Sequence, residues 1–315
     1  MASQIPQPAL IKTQMGLREW LMLGLLAAIW GGSFLFIGVA VKELPPLTIV
    51  ALRVLVAAGG LWAFIIVRGI RMPTAPRAWQ TMAVMGLINN ALPFTMLVWG
   101  QTHIASGLAS ILNGTTPLFA VILAGWLLPD ERITMQKVAG VIVGFVGAVV
   151  VIGPESLSGL GGGLLPQLAC VAAGLCYAAA GVYWRRSQFA VEHPLVVGAG
   201  MLTASSLMMV PTALVIERPW ELAMPGFYTW GAVCCLGLLS TAVTYNLYFR
   251  LIATAGATNI TLVTLLIPVS AILLGTLFLG ERLAAADFIG MAVIGLGLVI
   301  IDGRLLKPRA QAGRA

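Results

Sequence analysis

The chain has 315 residues, 59% of them hydrophobic and only 9% charged, with a formal net charge of +7. A water-soluble domain carries roughly 25% charged residues, so this composition excludes a soluble globular protein and defines an all-α integral membrane protein. The basic excess is dispersed over short loops rather than gathered on one folded face, which argues against nucleic acid as a partner.

A helix of about 20 apolar residues crosses some 30 Å of hydrocarbon, and ten such runs follow one another along the chain. Residues 1–17 precede the first; "MASQIPQPALIKTQMGLREW" holds no small-residue cleavage site behind a short apolar core, so this stretch is expected to be a retained tail. Span one, 18–41, carries Trp30 near mid-depth. An aromatic ring there lacks the interfacial role that explains Trp20, Trp79 and Trp220.

Span two, 46–67, holds Arg53, the one charged side chain inside a span. Two readings stand for it. An intramembrane charge is a functional candidate, here as a bidentate anchor for a substrate carboxylate. Alternatively its long stem snorkels outward and it serves the fold with Glu43 as acceptor.

Span three, 79–100, and span four, 103–128, each contain a mid-span proline. Proline at position i leaves the carbonyl at i−4 without a donor, and in hydrocarbon that carbonyl needs a polar neighbour or a wet cavity. Pro93 frees Asn89, Pro117 frees Asn113 and, in span nine (255–279), Pro268 frees Thr264. The functional reading is a central site built from three broken helices. The structural one is that Asn and Thr stabilise kinks and hold helices together. Pro211 in span seven (194–216) frees the apolar Leu207 and reads as a plain kink. Trp99 and Gln101 close span three as a candidate outer rim.

"PDERITMQKVAG" (Pro129 to Gly140) joins span four to span five, 133–152. A Gly-rich link over 154–162 follows, then span six, 163–184, with Tyr177 near mid-depth. With Trp30, Asn89 and Asn113, Tyr177 makes an amphipathic box of the kind that holds a small solute; core packing is the competing reading. Span eight, 226–249, ends in Tyr245, Asn246 and Tyr248, a candidate inner rim or interfacial belt. "LGERLAAADFIG" (Leu279 to Gly290) joins span nine to span ten, 284–302, and a basic tail occupies 304–315.

The two quoted turns are the same element written twice. At an offset of 150, Glu131 and Arg132 match Glu281 and Arg282, Gly140 matches Gly290, and Gly147 matches Gly297; with one residue of slip Pro117 matches Pro268. The chain therefore reads as two five-helix repeats, 18–153 and 163–303. Five is odd, so the second repeat enters the membrane inverted. Counting Lys and Arg on alternate sides gives fourteen on the side of both termini and three on the other, which predicts cytoplasmic termini. Inverted repeats exchange inward-open and outward-open states in secondary transporters.

The stretch "WGGSFLFIGVAVKELPPLTIVALRVLVAAG" (Trp30 to Gly59), with the paired P…ER…G…G helices, resembles the EamA family of the drug/metabolite transporter superfamily, over roughly residues 18 to 303. Aromatic-amino-acid exporters of the YddG type are similar in length and helix count. The resemblance implies a multi-pass exporter of the bacterial inner membrane acting on small metabolites, amino acids foremost. Toxic organic cations and nucleotide sugars are the alternatives within the superfamily. It also implies an Arg at this point of span two as a feature of the fold.

Absences bound the rest. All eleven carboxylates lie in loops or at span ends, so exchange or facilitated movement is expected rather than proton coupling at a buried acid. No metal cluster, cofactor motif or catalytic set is present, so the expectation is no cofactor, no metal and no enzymatic activity; the four cysteines lie inside spans as packers. The sequons at Asn113 and Asn259 fall in spans and are unusable. Small-residue runs at Gly140, Gly144 and Gly147 in span five, and at Gly290, Gly295 and Gly297 in span ten, are expected to seam helices within a monomer or across a homodimer.

Overall fold

The computed structural model describes residues 16–131, 133–157, 163–187, 193–255 and 263–302. The tails, the centre of the Gly-rich link, Arg132, Asn259 and the first residues of span nine lie outside the described residues. Among those described are ten helical rods: α1 (Leu17–Ala40), α2 (Pro46–Val67), α3 (Pro76–Gln101), α4 (Ser106–Leu127), α5 (Met135–Gly153), α6 (Leu164–Ser187), α7 (Pro194–Glu217), α8 (Phe227–Tyr248), α9 (Val263–Leu279) and α10 (Ala285–Asp302). All but α9 are long and apolar enough to cross a membrane.

Local sequence sets where the rods begin. Pro46, Pro76 and Pro194 each open a helix, the position where a missing N–H costs nothing. Gly280, at φ 67°, supplies the left-handed residue on which α9 ends and the chain turns into α10.

The packing partners reveal the duplication in space. Helix α1 lies against α8 and α9, while α6 lies against α3 and α4; α2 packs on α7 and α8, while α7 packs on α2 and α3; α5 pairs with α10. Exchanging each helix of one repeat with its counterpart in the other leaves this set of contacts unchanged. The repeats are also inverted. Glu281 sits on the N-terminus of α4, bonded to Ser106, whereas its counterpart Glu131 follows the C-terminus of the same helix. A helix of 22 residues separates them, about 33 Å at 1.5 Å per residue.

The tightest of these pairings is a glycine seam within the chain. A Cβ on Gly297 would lie 2.6 Å from both the Gly140 carbonyl and the Gly144 amide, and one on Gly147 would lie 2.6 Å from the Ile294 amide. Backbone meets backbone there, so α5 and α10 touch only because these positions lack side chains. The seam is thus occupied internally and is not available as a dimer face. Gly295 stands outside it, where an added Cβ would meet only Leu265 at 3.9 Å.

Candidate functional site

Two repeat-related helices lose regular α geometry at mid-length. In α3 residues Leu87–Ala91 form a π-helical turn immediately before Pro93, and in α8 residues Cys235–Val243 form another. An i→i+5 turn re-aims the side chains around it, a device common at functional sites. The offset of 150 sets Asn90 and Ala91 against Ser240 and Thr241, so the two irregular turns are the same feature in both repeats.

Between them lies Arg53 of α2, only 6% exposed. Its Nε donates to Thr241 Oγ1 at 3.2 Å, and that hydroxyl donates in turn to the Leu236 carbonyl at 2.8 Å. The guanidinium carbon stands 3.6 Å from the centre of the Phe94 ring, a cation–π contact between buried groups. Tyr177 and Tyr245 lie near enough to feel its charge. The arginine does not snorkel outward, and Glu43 is not its acceptor. Glu43 instead receives the Gly226 amide at 2.7 Å, and that bond, with the Thr229 hydroxyl nearby, holds its carboxyl below the usual carboxylate range. Among the described residues no carboxylate comes within 4.0 Å of Arg53.

Asn89 and Asn90 complete the cluster. Asn89 Nδ2 donates to Asn90 Oδ1 at 3.3 Å, Asn90 Nδ2 donates to Ser205 Oγ of α7 at 3.3 Å, and both amides lie beside the Tyr245 phenol. About two and a half turns further along α2, Trp62 Nε1 donates to Thr203 Oγ1 at 2.9 Å. Arg53, Asn89, Phe94, Tyr177, Thr241 and Tyr245 thus come from α2, α3, α6 and α8, two helices of each repeat.

The other expected site residues fall elsewhere. Trp30 does not share a box with Tyr177: its ring meets Tyr248 at 5.8 Å, among Met22, Leu247 and Ile267, because α1 turns that face toward α8 and α9. Tyr245 belongs to the central cluster rather than to an inner rim, since the π-helical turn displaces the helix that follows it; Asn246 beside it is half-buried. In α4 the helix breaks at Gly114 and Thr115 before Pro117, and the carbonyl freed at Asn113 accepts the Thr116 hydroxyl at 2.7 Å. That satisfies the backbone locally, while Asn113 Oδ1 is buried without a partner. Thr264 and Pro268 line a 190 Å³ cavity with Ile111 and Gly114, between α4, α9 and α10 and apart from Arg53. Trp99 meets the His103 ring at 5.2 Å with the planes tilted by 55°, and Gln101 is 6% exposed with Oε1 unpartnered.

One end of the bundle is stitched across the repeats by carboxylates on helix N-termini. Glu281 accepts from the Ser106 amide at 2.7 Å, the Ser106 hydroxyl at 2.8 Å and the Gly107 amide at 3.2 Å, capping α4. Glu217 accepts from the Leu47 amide at 2.9 Å, the Thr48 amide at 2.7 Å and the Thr48 hydroxyl at 2.8 Å, capping α2. Glu43 does the same for α8. Each satisfies amides that a helix start leaves orphaned and meets the positive end of its dipole. At the opposite end Glu131 pairs with Lys137 at 3.1 Å and Arg185 at 3.0 Å, and both cations hold its carboxyl below the usual range. These latter pairs are partly exposed and contribute little each.

Sequence reasoning missed Asn90, Phe94, Thr241 and the three capping glutamates. A signal for the first and third was present: positions 90 and 240–241 coincide at the repeat offset and are polar within otherwise apolar spans. Nothing local marks Phe94 or the caps, whose partners lie about 170 to 180 residues away in sequence.

A bundle of two inverted five-helix units, with a buried polar cluster where their broken helices meet, defines a polytopic membrane transporter of the inverted-repeat class. The match to the EamA-like transporter family model, over residues 18–153 and again over 164–302, makes the assignment specific. The chain belongs to that family. It is 28% identical over 290 residues to an uncharacterized transporter of Archaeoglobus fulgidus, covering 90% of this chain and 99% of the relative. It is 27% identical to the inner membrane transporter YedA of Escherichia coli, over 90% of each chain. Identity is 29% to a probable terminal-alkyne amino-acid exporter of Streptantibioticus cattleyicolor, over 87% of this chain and 88% of that one. A crystal structure at 22% identity superposes with a TM-score of 0.64 over 92% of this chain and 98% of its own, a likeness of fold.

Proposed function

We propose that the protein is an alternating-access exporter of small amphipathic metabolites, amino acids and aromatic ones above all, in a bacterial inner membrane with both termini cytoplasmic. One observation carries the reading: the polar and aromatic cluster of Arg53, Asn89, Phe94, Tyr177, Thr241 and Tyr245 is drawn from both repeats at their π-helical turns. A site shared by two inverted halves is bound equally by either tilt of one against the other. Charge asymmetry supports the orientation, and the amino-acid exporter among the relatives supports the cargo class.

On this reading the capped end, with Glu43, Glu217 and Glu281, faces outward and is closed; opening it requires the inter-repeat caps to part. Asn113, Gln101 and Trp99 lie on the path between cluster and exterior. Exchange or facilitated movement drives the cycle, since the chain places its acids at span ends.

The test is transport by purified protein in liposomes. A carrier gives saturable, stereoselective uptake of radiolabelled L-phenylalanine that is accelerated by unlabelled amino acid inside. Flux that rises linearly with concentration contradicts it, and strict dependence on a pH gradient contradicts the coupling. In cells, expression should confer resistance to toxic aromatic amino-acid analogues, lost on Asn89→Ala.

A further inference from the structure

We propose that Arg53 is the anion anchor of this site, and that it restricts the cargo to solutes bearing a carboxylate, admitting zwitterions and organic anions and rejecting organic cations. The inference rests on the transporter reading above and sharpens its substrate class.

A guanidinium offers five N–H donors and cannot shed its charge. Burying such a group is costly unless its donors and charge are met. Here Nε is met by Thr241 and one face by Phe94, while among the described residues no acceptor takes a hydrogen from Nη1 or Nη2 and no carboxylate balances the charge. An arginine serving the fold alone would have those donors spent on carbonyls or a counter-ion. This one is instead fixed by its stem and its flat face, leaving the outer fork unspent. Two parallel N–H donors at fixed spacing match the two oxygens of a carboxylate.

The surroundings fit the remainder of an amino acid. Tyr177 and Tyr245 lie near enough to feel the charge of the guanidinium, and the amides of Asn89 and Asn90 lie beside the Tyr245 phenol. Aromatic faces and amide oxygens suit a ring-bearing side chain and an ammonium group without adding charge. The local field is therefore that of one uncompensated positive charge in a buried site. A solute carrying only positive charge meets repulsion there, and a phosphate monoester or pyrophosphate with two or more charges meets too few cations. The lateral 190 Å³ cavity by Thr264 and the 330 Å³ apolar hollow by Trp230 hold no such donor set.

The experiment is a thermal-shift panel on the full-length protein in detergent, since a ligand that binds the folded state raises its melting temperature. The probes are the amino acids at millimolar concentration, 3-phenylpropionate, phenethylamine, phenylalaninamide and ethidium. Carboxylate-bearing members should stabilise the wild type and the carboxylate-free amines and ethidium should not. Arg53→Lys should weaken the best carboxylate ligand at least tenfold, and Arg53→Gln should abolish its shift. Should Arg53→Gln fail to fold, Thr241→Val, which releases Nε, should weaken the same ligand several-fold while the apo protein keeps monodisperse elution. Stabilisation by amines equal to that by acids, no shift from any carboxylate, or unchanged affinity in Arg53→Lys would each overturn the anchor. Saturable liposome transport of cations that survives Arg53→Lys sinks the anchor yet leaves the carrier reading standing; linear flux of every solute removes both.

Discussion

Removing the Glu281 carboxylate should unfasten one end of the bundle. Its two oxygens hold the Ser106 amide, the Ser106 hydroxyl and the Gly107 amide, at 2.7 to 3.2 Å. Hydrogen bonds to a charged group are worth about 1.5–3 kcal/mol each when nothing replaces them. Glu281 is only half-buried, so water restores much of that loss, and the measured range for deleting a helix N-cap, about 0.5–2 kcal/mol, is the better guide. Taking about 2 kcal/mol for Glu281→Ala, the balance between capped and uncapped states shifts by a factor of roughly 30. The assay is the rate at which a membrane-impermeant thiol reagent modifies Ala109→Cys in a cysteine-free background. Ala109 is fully buried one turn below the cap. The rate should rise by an order of magnitude or more from the outer face of sealed vesicles, and Gly275→Ala should mimic it, because a Cβ there collides with the Glu281 carboxylate and lies 2.8 Å from Ser106 Oγ. An unchanged rate in Glu281→Ala would refute the cap as a closure.

Other consequences are open to simpler measurements. Gly297→Val places a side chain against the Gly140 and Gly144 backbones, which cannot yield; a loss of about 2–3 kcal/mol follows from overpacking, read as a lower melting temperature, whereas Gly295→Ala should be near neutral. Tyr245→Phe removes the phenol beside the Asn89 and Asn90 amides and should raise the KM for the transported amino acid more than it lowers kcat. The Glu131 carboxyl titrates below its ordinary value of 4.5 under the influence of Lys137 and Arg185. The stabilisation it gives is therefore present above that value and lost as pH falls through the depressed one. The difference in melting temperature between wild type and Glu131→Gln should accordingly be flat from pH 8 to about 5 and shrink in stronger acid.

The rods, their order and their inversion were legible because each rests on local or strictly periodic signals. Apolar run length sets the span, and the Glu-Arg corner with its trailing glycines marks the repeat twice. The site was legible only in fragments. Asn89 and Tyr177 announce themselves as polar groups at mid-depth, but Trp30 carries the same signature and is turned toward Tyr248 instead. Rotation of a helix about its axis is decided by which neighbour it packs on, and an apolar helix in lipid shows no polar face to reveal it. Arg53 shows the same limit from the other direction. Its depth allows an outward stem; the inward course toward Thr241 depends on a π-helical turn in α8 that no local sequence rule marks. The caps are least legible of all, since an acid at a span end is the ordinary outcome and its partner is set by the tertiary fold.

Alternating access requires the two repeats to lie upside down to one another around one site. Single cysteines at Glu131 and Glu281, in a cysteine-free background, should react with an impermeant reagent from opposite faces of sealed, oriented vesicles, Glu281→Cys from outside and Glu131→Cys only after the inner face is exposed. Labelling of both positions from the same face would contradict it.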